Sequence, residues 1–160
     1  MKYNNKKVRR QDRLLNEDSA GKLLAEGEYG VLSMVGEDGA GYGIPINYVW
    51  DGKSSIYLHC APEGEKLRNI AANPSVSFCV AGKTKVISNK FTTAYESIIA
   101  KGKATADISA PERMQALELI LDKYSPSDKE VGLKYTEKSF HRTAVIRIDI
   151  DEISGKTKII

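Results

Sequence analysis

Two Asp-Gly pairs, Asp38-Gly39 and Asp51-Gly52, each separate a pair of short runs of strand-forming residues. Asp-Gly suits the left-handed backbone of a tight turn, and a tight turn joins antiparallel neighbours. Parallel neighbours need a crossover of a dozen or more residues. Hairpins therefore dominate this stretch, and a doubly wound parallel sheet is a poor fit. The runs are Gly30 to Val35, Tyr42 to Trp50 and Ser55 to Cys60. In the last, Ile56 and Leu58 fall on one face, Tyr57 and His59 on the other. The middle run contains Pro45, which has no amide to give a ladder, so an edge, a bulge or an opening is expected there.

The remaining elements follow from periodicity and punctuation. Asn16 to Glu26 predicts a helix with Ala20, Leu23 and Leu24 on one stripe and Gly27 as its stop. Glu63 to Ala72 predicts a second, with Leu67, Ile70 and Ala71 on one side and Asn73-Pro74 ending it. Val76 to Val80 is strand-like, and Lys83 to Ile87 continues it or turns away. From Tyr95 to Ile108, Ile98, Ala100, Gly102, Ala104 and Ala106 alternate with polar residues, as in a half-buried strand. Ser109 and Glu112 have capping-box spacing, Pro111 fits a first turn, and Met114, Leu117, Ile120, Leu121 and Tyr124 keep helical spacing. Thr143 to Ile150 alternates as a last strand. Six strands and three helices point to a mainly β fold, an antiparallel barrel or sandwich with peripheral helices.

No repeat or linker divides the chain. The expected organisation is a basic arm over residues 1–15, carrying Lys2, Lys6, Lys7, Arg9, Arg10 and Arg13, and one domain over 16–160. The arm reads as a solvated, partly disordered tail, or as one that docks on a dimer partner or near a phosphate. Against 24 basic residues stand 21 acidic ones, a net charge of +3 too small for a general nucleic-acid binder. No apolar h-region follows the basic start and no apolar run nears the ~18 residues of a membrane span, so a cytoplasmic protein is expected. Cys60 and Cys79 show no metal-ligand spacing and read as reduced thiols. No Gly-x-Gly-x-x-Gly or P-loop is present.

The stretch His59 to Lys66 holds the most chemistry. A strand ends, Gly64 loosens the backbone and a helix begins, so free amides and the Lys66 ammonium could receive an anion. A plain strand-to-helix connection has the same outline. His59 stands beside this point and exchanges a proton near neutral pH, although a lone strand histidine is as readily structural. The hydroxyls of Tyr95 and Ser97 open the long strand and could also reach a phosphate. Cys60 and His59 point to opposite faces and make no nucleophile–base pair.

Four segments carry a resemblance: RRQDR at Arg9 to Arg13, GIPINY at Gly43 to Tyr48, the run from Ile56 to Val76, and YESIIAKGKA at Tyr95 to Ala104. With the element order, they resemble the pyridoxamine phosphate oxidase-related FMN-binding split barrels, and among them the 5-nitroimidazole resistance branch. That resemblance implies a six-stranded antiparallel split barrel, a homodimer, and FMN in grooves between the subunits. It places the Ile44, Pro45, Ile46 and Asn47 backbone along the isoalloxazine edge, His59, Cys60 and Ala61 against the flavin, and Gly64, Lys66, Tyr95 and Ser97 near the phosphate. Family oxidases grip that phosphate with an arginine–lysine pair. Lys66 matches the lysine, but Glu65 stands at the arginine position. The C-terminal tryptophan and arginine of the true oxidases have no counterpart between Ile150 and Ile160, and Trp50 lies elsewhere.

The implied function is an FMN-dependent reductase. It passes electrons from NADH or NADPH to a small planar acceptor such as a nitroimidazole, with His59 as proton donor or substrate-orienting group. Two alternatives stand beside it: a non-catalytic flavin-binding or storage protein, and a haem-binding split barrel with His59 as ligand.

Overall fold

The computed structural model describes residues 1–160. Its strands are β1 (Lys2–Tyr3), β2 (Gly30–Val35), β3 (Gly41–Ile46), β4 (Val49–Trp50), β5 (Ser55–Cys60), β6 (Ser75–Ala81), β7 (Lys85–Ile87), β8 (Thr92–Thr105) and β9 (Ala144–Lys158). The helices are α1 (Glu17–Glu26), α2 (Glu65–Ala72), α3 (Ala110–Tyr124) and α4 (Lys129–Ser139). The main sheet runs β3-β2-β6-β8-β9-β5-β4, antiparallel at every step. Its two outer strands, β3 and β4, are joined by Asn47 and Tyr48 alone. So short a link forces the sheet to curl until its edges meet, which makes a barrel, and the absence of a β3–β4 ladder leaves that barrel split.

Both hairpin turns form as expected. Gly39 and Gly52 take positive φ, and the Asp38 and Asp51 carboxylates accept amides two residues on, at 2.9 and 2.8 Å. Pro45 sits on an edge strand opposite Val31, where a missing amide costs no ladder bond. Asn16 caps α1 by accepting the Ser19 amide at 2.8 Å, and Ser109 caps α3 by accepting the Glu112 amide at 3.3 Å.

Several expectations need correction. Nine strands form rather than six: Tyr42 to Trp50 divides at Asn47-Tyr48, while Lys85–Ile87 and Lys2–Tyr3 are strands of their own. The last strand runs to Lys158 instead of stopping at Ile150. A bulge opposite Lys101 and Gly102 shifts the inward phase from Ile150 to Ile153, and that shift hides the continuation from a period-two reading. Helix α4 was not expected, because Val131 and Tyr135 are exposed and no apolar stripe marks it. The arm is not a loose tail. Its β1 pairs in parallel with β9, Tyr3 donates to the Leu15 carbonyl, and Leu15 is buried.

The barrel interior holds one apolar cluster, including Leu32, Ile56, Leu58, Phe78, Ile98, Ile146 and Ile148. Tyr48, at the split, is fully buried there, edge-on to Phe78 at 4.9 Å, and donates to the Leu24 carbonyl at 2.6 Å. A second cluster lies outside the sheet, where Ala116, Leu117 and Ile120 of α3 cover Val49 and Val145.

Candidate functional site

The split is flanked by β3 on one side and β5 on the other. The β4–β5 register pairs Val49 with Tyr57 and Trp50 with Ile56. Carried two steps further, it sets Asn47 level with His59 and Ile46 level with Cys60, where the ladder has opened. Ile44 and Ile46 point inward yet are only half-buried, as is Tyr42, which the sequence reading did not single out. Pro45 and Asn47 point outward and are exposed, and Asn47 donates to the Glu28 carbonyl at 3.0 Å.

Helix α2 follows β5 after the short Ala61–Gly64 link and packs against β2 and β8. Gly64 precedes it with φ of 139°, a conformation only glycine holds without strain, and open space where a β-carbon would stand. No side chain caps this helix. The Leu67 and Arg68 amides turn back to the Gly64 carbonyl, at 3.1 and 3.3 Å, leaving those of Glu65 and Lys66 without a protein partner. Such amides are ready to bind an anion.

Two titrating groups end β5 on opposite faces, His59 outward and exposed, Cys60 inward and half-buried. Although its ring reaches solvent, desolvation by its neighbours pushes the His59 imidazole below its ordinary pKa, which favours the neutral ring. Burial pushes the Cys60 thiol up, although the Lys66 ammonium pulls it the other way. The thiol stays protonated and is no nucleophile.

The expected site residues fall into two groups. Ile44, Pro45, Ile46, Asn47, His59, Cys60, Ala61, Gly64 and Lys66 gather around the split. Tyr95 and Ser97 do not join them within one chain. They lie on β8, which the strand order puts across the barrel from the split, and Ser97 faces outward opposite Lys156. A filled core stands between. Ser97 instead lines a cavity under the arm, with Lys7, Arg9, Lys101 and Lys156. Nothing in the sequence marks the last two lysines, since charged residues alternating along a strand look like any solvated face.

Residues 16–157 match the family model described as pyridoxamine 5'-phosphate oxidase. The chain belongs to the pyridoxamine 5'-phosphate oxidase family. No curated protein sequence matches it. Among solved structures, this family member is similar to a candidate 5-nitroimidazole antibiotic resistance protein from Bacteroides thetaiotaomicron, at 18% identity over 90% of this chain and 85% of that one, with a TM-score of 0.72. It is similar to a conserved hypothetical protein of Mycobacterium tuberculosis, at 18% identity over 92% and 88%, with a TM-score of 0.73. A FAD and haem binding protein from Mycobacterium smegmatis superimposes at 17% identity over 89% and 71%, with a TM-score of 0.68. These likenesses show a shared fold, the antiparallel barrel with peripheral helices of the flavin-binding split-barrel type. No helix of this oxidase-family chain is long and apolar enough to cross a membrane.

Proposed function

We propose that this chain is a flavin-dependent oxidoreductase that binds FMN at the split and works as a homodimer. The observation that carries the reading is a pair of features: a half-covered apolar wall from Tyr42, Ile44 and Ile46, and two unpartnered amides with Lys66 at the start of α2. That combination fits a planar ring with an anionic tail. A bound flavin supplies the electron transfer, and the protein supplies binding, orientation and tuning. The Glu65 and Lys66 amides and the Lys66 ammonium hold the phosphate, while Gly64 lets it approach the backbone. The exposed edge of β3, from Ile44 to Asn47, offers backbone groups to the polar edge of the ring. His59, neutral and proton-bearing, donates to an acceptor lying against the ring. The acceptor class is a small planar molecule such as a nitroimidazole, with a reduced nicotinamide as donor.

The homodimer is supported by the outer face of the sheet. Pro45, Val31, Cys79, Ile99 and Ser154 lie in one row across five strands. Val31 and Ile99, at 36% and 42% exposure, leave an apolar centre uncovered. A second copy seated by a two-fold axis covers it.

The test is the visible spectrum of the purified protein with and without excess FMN, followed by anaerobic bleaching with NADH or NADPH and recovery on adding a nitroimidazole. A colourless protein that takes up no FMN ends the flavin reading, and a haem band would replace it. Flavin that neither nucleotide bleaches would leave a flavin carrier. His59→Ala is expected to keep the flavin and lose turnover by about a hundredfold. Loss of the flavin instead would make His59 a binding residue.

A further inference from the structure

The cavity beneath the N-terminal arm has a volume of about 280 Å³, and its wall carries four cations against one carboxylate. Lys7 and Arg9 of the arm, Lys101 of β8 and Lys156 of β9 line it, and none of the four forms an ion pair. The one carboxylate on its wall, Glu152, accepts from the Asn4 amide at 2.6 Å. The positive field shows in the neighbouring Tyr95. Burial pushes its hydroxyl up, but Lys156 and Arg13 together outweigh burial and bring it below its ordinary value. Ile99 gives the cavity an apolar patch and Ser97 a hydroxyl.

The corner at α2 shows the reverse imbalance. Glu63 and Glu65 flank Gly64 just ahead of Lys66, and Arg68 is committed to Glu37 at 3.3 Å. A phosphate monoester carries about −1.5 to −2 charges at neutral pH. One lysine and two amides leave much of that charge unanswered while two carboxylates repel it.

The outer row from Pro45 to Ser154 links the two places. One end lies at the lip of the split, the other beside the cavity. A two-fold axis through the row exchanges its ends, because in an isologous interface residue i meets residue j and j meets i. Each cavity then faces the split of the other subunit. We propose that the Lys7, Arg9, Lys101 and Lys156 cavity of one subunit supplies the counter-charge for the cofactor phosphate held at the α2 corner of its partner. This rests on the flavin and homodimer reading above. It assigns the arm a binding role and answers the charge deficit left by Glu65.

The experiment compares FMN with riboflavin, which has the same ring and no phosphate, by quenching of flavin fluorescence. Arg9→Ala and Lys156→Gln are each expected to weaken FMN binding about tenfold and leave riboflavin unchanged. Arg9→Lys is expected to recover most of the loss. Equal weakening of both ligands, or none, overturns the proposal. Wild-type protein that binds neither ligand overturns the flavin reading itself, which keeps the two failures apart. Mixed dimers decide whether the site crosses subunits. One Lys66→Ala subunit paired with one Lys156→Gln subunit is expected to regain a single tight FMN site per dimer, because one split then keeps both lysines. If the two lysines served a site within one chain, every site in the mixed dimer would carry a lesion and no tight binding would return.

Discussion

The two halves of β9 face different surroundings. From Ala144 to Ile150 the inner face is closed by Ile146, Ile148 and Ile150, and the outer face is covered at Val145 under α3 and half-covered at Arg147, opening only at Asp149. From Glu152 to Lys158 only the inner face is closed, by Ile153 and Gly155, while Ser154 and Lys156 look outward with Ser97 and Ile99. The bulge at Lys101 and Gly102 separates the halves. The difference shows where this barrel spends its sequence on holding itself together and where it keeps a surface for another molecule. Substitutions around the covered half should cost stability. Those in the open half should cost association and leave the fold of one chain unharmed.

The largest effect is expected at the boundary. A β-carbon on Gly102 would overlap the Asp149 carbonyl, so Gly102→Ala must open the bulge or push β9 away from β8. A loss of about 3 kcal/mol is expected in urea unfolding. A loss under about 1 kcal/mol would mean the bulge yields, and the halves are then less distinct than the register implies.

Next comes the clamp that holds α3 beside the covered half. The Tyr124 hydroxyl accepts the Tyr48 amide at 3.0 Å and lies 2.8 and 2.7 Å from the Tyr48 and Glu28 carbonyls. Tyr124→Phe strands these groups near the split, at a cost of about 2 kcal/mol. The same variant should leave the oligomeric state unchanged, as sedimentation would show.

Lys123 gives a smaller effect with a pH signature. Its ammonium stands 3.8 Å from the centre of the Tyr48 ring with no hydrogen-bond partner, and burial pushes its pKa down to about 8. Between pH 8 and its ordinary value the unfolded chain holds a proton that the folded chain has released. Stability therefore rises with pH across that window. Relative to Lys123→Met, the wild type should gain about 1 kcal/mol between pH 8 and 10, a figure discounted for the solvent that reaches the group. A flat difference across those pH values would show the lysine to be better solvated than its surroundings imply. Taking the difference against the variant removes tyrosine ionisation, which acts the opposite way: burial raises Tyr48 and Tyr57, and unfolding would release their protons at high pH.

The smallest change in stability is expected in the open half. Ile99→Asp should shift unfolding of the single chain by no more than about 0.5 kcal/mol while converting the dimer to monomer in sedimentation. A dimer that survives would move the interface to another face. A chain that unfolds would erase the contrast between the halves.

Much of the fold was legible because local chemistry and tertiary need coincide there. The Asp-Gly turns, the Ser109 cap, and the alternation of Ile98, Ala100, Gly102 and Ala104 read the same in sequence and in structure. Pro45 signalled an edge, a bulge or an opening, and it lies on an edge strand; the split comes two residues later, at Asn47-Tyr48, where Tyr48 turns inward to fill the barrel. Helix α4 was not legible, since Val131 and Tyr135 give no apolar stripe. Within the candidate site, the His59 to Lys66 corner could be read because its residues are neighbours in sequence. The cavity residues could not, because Lys7, Arg9, Lys101 and Lys156 come from three separate segments.

By itself the sequence determined the strand-rich antiparallel character, the turns, the Ser109 cap and the family, all of which depend on patterns within a few residues or on motifs in order. Only the tertiary structure decided how far β9 runs beyond its bulge, that the arm is a strand lying along it, and that Ser97 stands across the barrel from His59. Register and closure are properties of strands meeting over long sequence separations. No local pattern encodes which wall of a closed barrel an outward-facing residue will occupy.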